Sequence, residues 1–536
     1  LGADGLRQTC CRPFCCISQA DGQSRVLAVE IDRTTAHILR KNAEECPAEY
    51  TGTAVKRFFF VGKLQGRDFM GVSYMLSIVQ TINNYLSDYI LVIMLVTVGV
   101  WYTIKTRFVQ VRYFSECMRR TFGSLNLNGE KQNAGMSSFQ ALATAIAAQV
   151  GTGNIIGASG AILTGGPGAI FWMWVIAFFG MATIYAEAVL AQETRVTASD
   201  GSIHGGPVYY ITRAFKGRLG KFLSKFFAVA ITLALGFFGC MVQSNSISST
   251  CENAFGIPGW VTGIVLVVIC GIIFLGGIQR LASVTEKLVP RMAALCLMGG
   301  GIVLLLRIRY LPATFGMIFR YAFQPNAIIG GSVGYALKTA ISQGAKRGLF
   351  SNEAGMGSTP HAHALANVKT PHEQGMVAMT GVFIDTFIVL TMNAMVIIST
   401  MYTDDGIIAG GVIPDTIGKA NLAQTAFASA LGESFGPAFV AICLFFFAFS
   451  TILGWNLFGK INMTYLFGDK SRHVYTLIAL AFIFLGTLTT SDMVWELTDM
   501  FNQLMVIPNV LALFALTGIV VGRLKSEELK NPLRKN

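Results

Sequence analysis

Between Val150 and Gly166 the chain reads VGTGNIIGASGAILTGG, a stretch with six glycines, two threonines, an asparagine and a serine. Two chemistries use glycines in this way. One is a turn whose amides cradle a phosphate at the start of a helix. The other is a deliberate break in a membrane helix, where freed carbonyls can coordinate a small cation and the next half-helix presents N–H groups to a carboxylate. The dinucleotide form wants G-x-G-x-x-G between a strand and a helix, with an acid about 20 residues on. Here the glycines stand at 151, 153 and 157, one residue too far, and the chain reads FWMW around position 171 with no acid. No strand–helix alternation surrounds the stretch, so the broken helix is the favoured reading. A second stretch, SNEAGMGSTP (Ser351 to Pro360), has the same character.

The elements that must hold these stretches follow from composition. Of 536 residues, 53% are hydrophobic and 13% charged, far from the roughly one-quarter charged of a soluble domain. A net charge of +12 then reads as basic cytoplasmic loops rather than as a nucleic-acid footprint, and no nucleic-acid partner is expected. Five cysteines fall in the first 46 residues, but CCRPFCC lacks the separated ligand pairs and nearby histidine of a zinc site. Residues 1–74 show no membrane-length apolar run and no clear periodicity. They are expected to be a non-native or disordered N-terminal extension.

At roughly 20 apolar residues per crossing, about 11 transmembrane helices are expected. They cover 87–104, 138–164, 168–192, 224–248, 259–278, 289–307, 328–366, 376–400, 436–459, 474–489 and 502–522; the seventh is too long and too polar to be one straight helix. Basic loops follow the first, third, fifth, ninth and last of these, whereas YTDDGIIAGGVIPD and TTSDMVWELTD on the other side are acidic. That bias puts the N-terminus outside and the C-terminus in the cytoplasm. RIRYLPATFGMIFR (Arg307 to Arg320) is the exception, basic yet assigned outside. Setting the first span aside leaves ten, two fives of opposite orientation, each opening on a glycine-broken helix. The fold class is therefore an all-α polytopic membrane protein with a 5+5 inverted repeat, two broken helices and one extra N-terminal helix. The expected divisions are 75–130 for that helix and a basic loop, 131–310 and 311–522 for the two repeats, and 523–536 for a basic tail. Gly157, Ser159 and Gly160 are expected to serve close packing, and Gly165-Gly166 to turn the chain into the next span.

GGPGAIFWMWVIAFFG (Gly165 to Gly180), with VGTGN before it and NEAGMGS later, resembles the characteristic stretches of the sodium:alanine symporter family, from about Asn83 to about Arg523. The resemblance implies a fold of the leucine-transporter type and secondary active uptake of alanine, glycine or another small neutral amino acid, driven by sodium. It implies no cofactor beyond the coupling ion, no covalent catalysis, and a lipid bilayer as surroundings. It nominates Asn154 for one sodium, and for a second the carbonyls of Ala147 and Val150 with Phe447, Ser450 and Thr451 from FAFSTILGW. For the amino acid, the amides of Gly151, Thr152 and Gly153 suit its carboxylate, and carbonyls near Asn352, Glu353 and Gly355 suit its ammonium. Trp455 and Phe237 are candidate walls; Gln149, Gln243, Asn245 and Thr451 are polar candidates on the same path. Ionisable residues inside spans are costly and default to function. These are Glu187, Glu353 and Asp385, the last with Lys338 as a possible structural partner. The block around His361, His363 and His372 reads as a cytoplasmic loop. Proton coupling is the alternative mechanism. A channel is a weaker rival, and an enzyme lacks any cluster of nucleophile, base and orienting group.

Overall fold

The computed structural model describes residues 76–123, 135–197, 203–324, 333–403, 405–409, 411–489 and 491–530. The expected extension over residues 1–74, with its CCRPFCC stretch, lies outside them. The described chain is built of helices, with two short strand pairs: Met136–Ser137 runs parallel to Ala366–Asn367, and Val196–Thr197 antiparallel to Ile203–His204.

Among the described residues seven helices are long and apolar enough to cross a membrane, or eight with one bent pair counted as a span. In chain order the helices at the expected spans are α1 (Leu76–Lys105), α2 (Ser138–Gln149 and Gly153–Gly165, bent by 45°), α3 (Gly168–Thr194) and α4 (Gly217–Phe255). Next come α5 (Gly259–Leu275), α6 (Gly277–Leu306) and α7 (Val333–Asn352, resumed at Pro360–Ala364). The last are α8 (Pro371–Met401), α9 (Phe435–Phe467), α10 (Ser471–Gly486) and α11 (Ser491–Ala515). The shorter α5 and α10 and the polar α7 fall outside the seven. The breaks lie in α2 and α7, five helices apart.

Burial runs opposite to a soluble protein. Val268, Ile272 and Leu275 on α5 and Met298, Ile302 and Leu305 on α6 are exposed, whereas Asn154, Glu187, Glu353 and Asp385 are completely buried. An apolar surface around an interior that shelters the ionisable groups among apolar side chains is the arrangement a bilayer demands.

Local sequence explains the ends. SSFQ gives α2 a capping box, with Gln140 N donating to Ser137 Oγ at 3.1 Å and Ser137 N to Gln140 Oε1 at 3.0 Å. Thr370 accepts from the Glu373 amide and Pro371 opens α8. Gly166, at φ +71°, turns the chain from α2 into α3.

The basic exception finds its structural setting, and two expectations need correction. The basic RIRYLPATFGMIFR, assigned outside, forms a 3₁₀ turn over Ile308–Tyr310 and the helix Leu311–Phe323, whose Ala322 carbonyl accepts from Trp172 Nε1 at 3.1 Å. Arg307 pairs with Asp405 of the acidic 402–415 segment at 2.6 Å, so this basic residue sits beside its counter-charge. The guanidinium holds the Asp405 carboxyl well below the usual carboxylate range. Next, the histidine block is no exposed loop. His361 Nδ1 donates to Ser358 O while its Nε2 accepts from Asn462 Nδ2, and His363 Nδ1 accepts from Gln374 Nε2. His372 Nδ1 meets the Tyr185 hydroxyl at 2.7 Å, and all three rings are buried. Finally, Gly157 and Gly160 are not tight packing positions, because a β-carbon on either would meet nothing closer than 3.8 Å.

Close approach falls elsewhere. A β-carbon on Gly459 of α9 would lie 2.2 Å from Tyr475 Oη and 3.0 Å from Gly236 Cα of α4. Gly459→Ala is therefore expected to lower stability by about 1–3 kcal/mol, the usual cost of overpacking, read as a lower thermal unfolding midpoint in detergent. Gly271→Ala, whose new methyl would meet Leu480 Cδ1 at an ordinary 3.7 Å, should leave the midpoint unchanged or raise it.

Candidate functional site

The first helix half of α2 ends because two glycines, each costing about 1 kcal/mol relative to alanine in a helix, follow Val150, whose ψ of 90° leaves helical geometry. In an unbroken helix the Gly151 amide would bond Ala147 O and the Thr152 amide Ala148 O. Instead Gly151 N donates to Asn154 Oδ1 at 3.0 Å and Thr152 N to Gln243 Oε1 at 3.2 Å.

The released Ala147 carbonyl faces α9. Thr451 Oγ1 lies 3.0 Å from Ala147 O, 3.0 Å from Phe447 O and 3.4 Å from Val150 O. Ser450 Oγ lies 2.8 Å from Phe447 O and 3.3 Å from Ala147 O. Two hydroxyls carry two protons between them, and three carbonyls converge on them. The surplus is oxygen lone pairs, the ligand type a hard cation takes. All five expected residues of this set, Ala147, Val150, Phe447, Ser450 and Thr451, are thus brought together. Gly151 permits it: a β-carbon there would fall 2.3 Å from Thr451 Oγ1.

Asn154 belongs to a different cluster. Its Nδ2 donates to Asp385 Oδ1 at 2.7 Å and to Asp385 O at 3.2 Å. Ser351 Oγ donates to the same carboxylate at 2.9 Å and Thr386 Oγ1 at 2.8 Å. Asp385 sits on a π-helical turn of α8, Phe383–Leu390. It therefore binds both breaks, through Asn154 after the first and Ser351 before the second. The expected partner Lys338 is elsewhere, its ammonium over the Tyr89 ring at 4.9 Å.

At the second break Glu353, Gly355 and Gly357 take positive φ of 58°, 89° and 81°. Only the first is strained, since glycine adopts this region freely. The Glu353 carboxylate accepts from Trp455 Nε1 at 2.5 Å and from Ser358 Oγ. Gly355 N donates to Glu187 Oε2 at 3.1 Å, and Asn509 Nδ2 bridges Glu187 Oε1 at 2.6 Å and Gly355 O at 2.9 Å. The Asn352 carbonyl accepts from Gln149 Nε2 at 2.8 Å. Two of the carbonyls expected to face an ammonium are therefore held by side-chain amides.

Between the breaks three buried polar atoms have no hydrogen-bond partner: Gln149 Oε1, Thr152 Oγ1 and Gln243 Nε2. The other end of each amide is fixed by its partner, so Gln149 offers an acceptor and Gln243 a donor. An acceptor and a hydroxyl on α2 and a donor on α4, left unmatched beside the first break, are groups that the two ends of a zwitterion would match. Trp455 stands beside them, edge-on to Phe350 at 5.7 Å and against Gly239, where a β-carbon would come within 2.7 Å of its ring.

Two candidates are not brought in. Phe237 packs on Tyr475 and Phe482 of α10, with centroids 5.5 and 4.8 Å away. Asn245 Nδ2 caps the end of α10, donating to Gly486 O and Thr489 O. Both lie on the side of α4 that faces α10. Sequence reasoning missed Ser351 and Thr386, and also Asn393, which donates to Asn154 O at 2.9 Å. Ser351 was legible as the first residue of the second glycine stretch; the other two carry no local signal.

Comparison with known proteins adds a family. A family model described as the sodium:alanine symporter family matches residues 72–533. The "Sodium/alanine symporter AgcS" of Methanococcus maripaludis is 38% identical over 461 residues, covering 86% of this chain and 98% of that protein. An "Uncharacterized transporter" of Haemophilus influenzae is 39% identical, covering 84% and 95%. The "Probable sodium/glutamine symporter GlnT" of Bacillus subtilis is 37% identical, covering 84% and 90%.

The geometry predicts coupling between Gly151 and Thr451. Gly151→Ala should destabilise by about 1–3 kcal/mol, and adding Thr451→Ala, which removes the clashing oxygen, should cost less than the sum of the two single changes. Additive losses in detergent melting would refute this contact.

Proposed function

We propose, from the fact that the chain belongs to the sodium:alanine symporter family, that it drives a small neutral amino acid of the alanine class into the cell with sodium, by alternating access. Family membership makes it a multi-pass membrane transporter of the amino-acid:cation symport type. The observation that carries it is the convergence of the Ala147, Val150 and Phe447 carbonyls on the Ser450 and Thr451 hydroxyls across two helices. A sodium ion there would satisfy the surplus lone pairs and cross-link α2 to α9. The cluster of Asn154, Ser351, Asp385 and Thr386 supports a second cation position, this one with a carboxylate.

The amino acid would lie between the breaks. Gln243 Nε2 suits its carboxylate, and Gln149 Oε1 and Thr152 Oγ1 its ammonium; the Gly151 and Thr152 amides, expected to hold the carboxylate, are instead taken by Asn154 Oδ1 and Gln243 Oε1. Trp455 limits the room, which favours small side chains. The basic loops put the C-terminus in the cytoplasm. Proton coupling is the second reading. Glu353, a buried carboxylate held by Trp455 and Ser358 with no ion pair among the described residues, favours it.

Radiolabelled alanine uptake into proteoliposomes, with and without a sodium gradient, tests the function. Accumulation only with the gradient is expected; equal flux without it would favour a channel, and a proton gradient sufficing alone would favour the second reading. For the sites, Thr451→Ala removes an oxygen from the cation position between α2 and α9, and Asn154→Ala removes the side chain that holds Asp385 and the Gly151 amide. Each should raise the sodium concentration for half-maximal uptake about tenfold, the equivalent of ~1.4 kcal/mol. Unchanged sodium dependence in both variants would remove the ion assignment.

A further inference from the structure

On the face that carries the basic loops, a cleft of about 480 Å³ opens between residues 203–205, the turn joining α5 to α6, and the lower half of α9. Its polar lining comprises His204, Gln279, Asn456, Lys460, Thr464 and Arg472, with no carboxylate among the lining residues. Asn456, Lys460 and Thr464 recur every fourth residue, so they form one stripe down one face of α9. Arg472 is already paired with Asp469 at 2.5 Å. Lys460 instead donates to a neutral acceptor, Phe274 O, at 3.3 Å.

At the top of the stripe Asn456 is 1% exposed, and its Nδ2 has no hydrogen-bond partner. A buried amide donor left unmatched is costly. In a cleft lined by cations and donors, the acceptor that fits it is an anion. Asn456 directly follows Trp455 on α9, so the two side chains leave the helix roughly 100° apart, Trp455 toward Glu353 at the second break and Asn456 into the cleft.

We propose that Asn456 and Lys460 form a second binding station, facing the cytoplasm, that receives the carboxylate of the amino acid as it leaves the site between the breaks. Asn456 Nδ2 takes the carboxylate first, in place of the Gln243 amide it has left. The Lys460 ammonium, one turn further out, then exchanges Phe274 O for it and draws the zwitterion into the cleft. The station rests on the symport reading, and the test separates the two.

The Km for L-alanine is measured from each face, in right-side-out and inside-out membrane vesicles from the same cells. Lys460→Gln, which can keep the bond to Phe274 O, and Asn456→Ala should each raise the Km at the cytoplasmic face about three- to tenfold. The Km at the outer face should stay within about twofold, which also reports intact folding. Lys460→Arg should recover most of the cytoplasmic Km. Equal shifts at both faces, or none at either, would overturn the station. So would a defect in reconstituted vesicles that follows their phosphatidylglycerol content instead of the L-alanine concentration, since the cations would then serve lipid. Wild-type vesicles without sodium-driven L-alanine flux would overturn the symport reading itself, and the station with it.

Discussion

A backbone amide or carbonyl that leaves a helix inside a bilayer finds no water, and the rest of this structure answers that constraint. At the first break the answers come from Asn154, Gln243, Ser450 and Thr451; at the second from Gln149, Glu187 and Asn509. These partners sit on α2, α3, α4, α9 and α11. Opening two helices has therefore recruited polar side chains from nearly every helix that surrounds them. An unmatched group of this kind costs about 1–3 kcal/mol, so the network is a condition of stability before it is a device for binding. The few atoms it leaves unmatched between the breaks are where a ligand's own polar groups are called for.

Three carboxylates, Glu187, Glu353 and Asp385, lie fully buried in this network. None of the ion pairs among the described residues includes them. They differ in what surrounds them. Glu187 is saturated by the Gly355 amide and the Asn509 side chain, which suits a role in fixing the second break. Asp385 joins side chains next to both breaks and Glu353 joins a break to Trp455, so a change of charge on either would be felt by moving parts.

The glycine spacing made the broken helices legible, because glycine acts on the backbone at its own position. The resemblance to a family made the Ser450–Thr451 pair legible, and packing then aimed both hydroxyls at Ala147. Phe237 and Asn245 were misjudged for a reason helices impose. A correct span is not a correct face, and both residues point toward α10. The α4 residues that reach the site, Gly239 and Gln243, differ by one turn, and only the second is polar enough to be noticed. The histidine block misled because polar residues near a span end read as solvated, whereas here they bond one another and the ends of α3, α8 and α9.

The strand pair Met136–Ser137 and Ala366–Asn367 is only two residues long on each side. It joins the start of α2 to the chain just past α7, so one segment of each broken helix is tied to the other at the end away from its break. Two segments fastened tip to tip cannot shift independently at that end unless the two-residue pair parts, so the fold fixes where the two broken helices stand relative to each other without using any residue of either break.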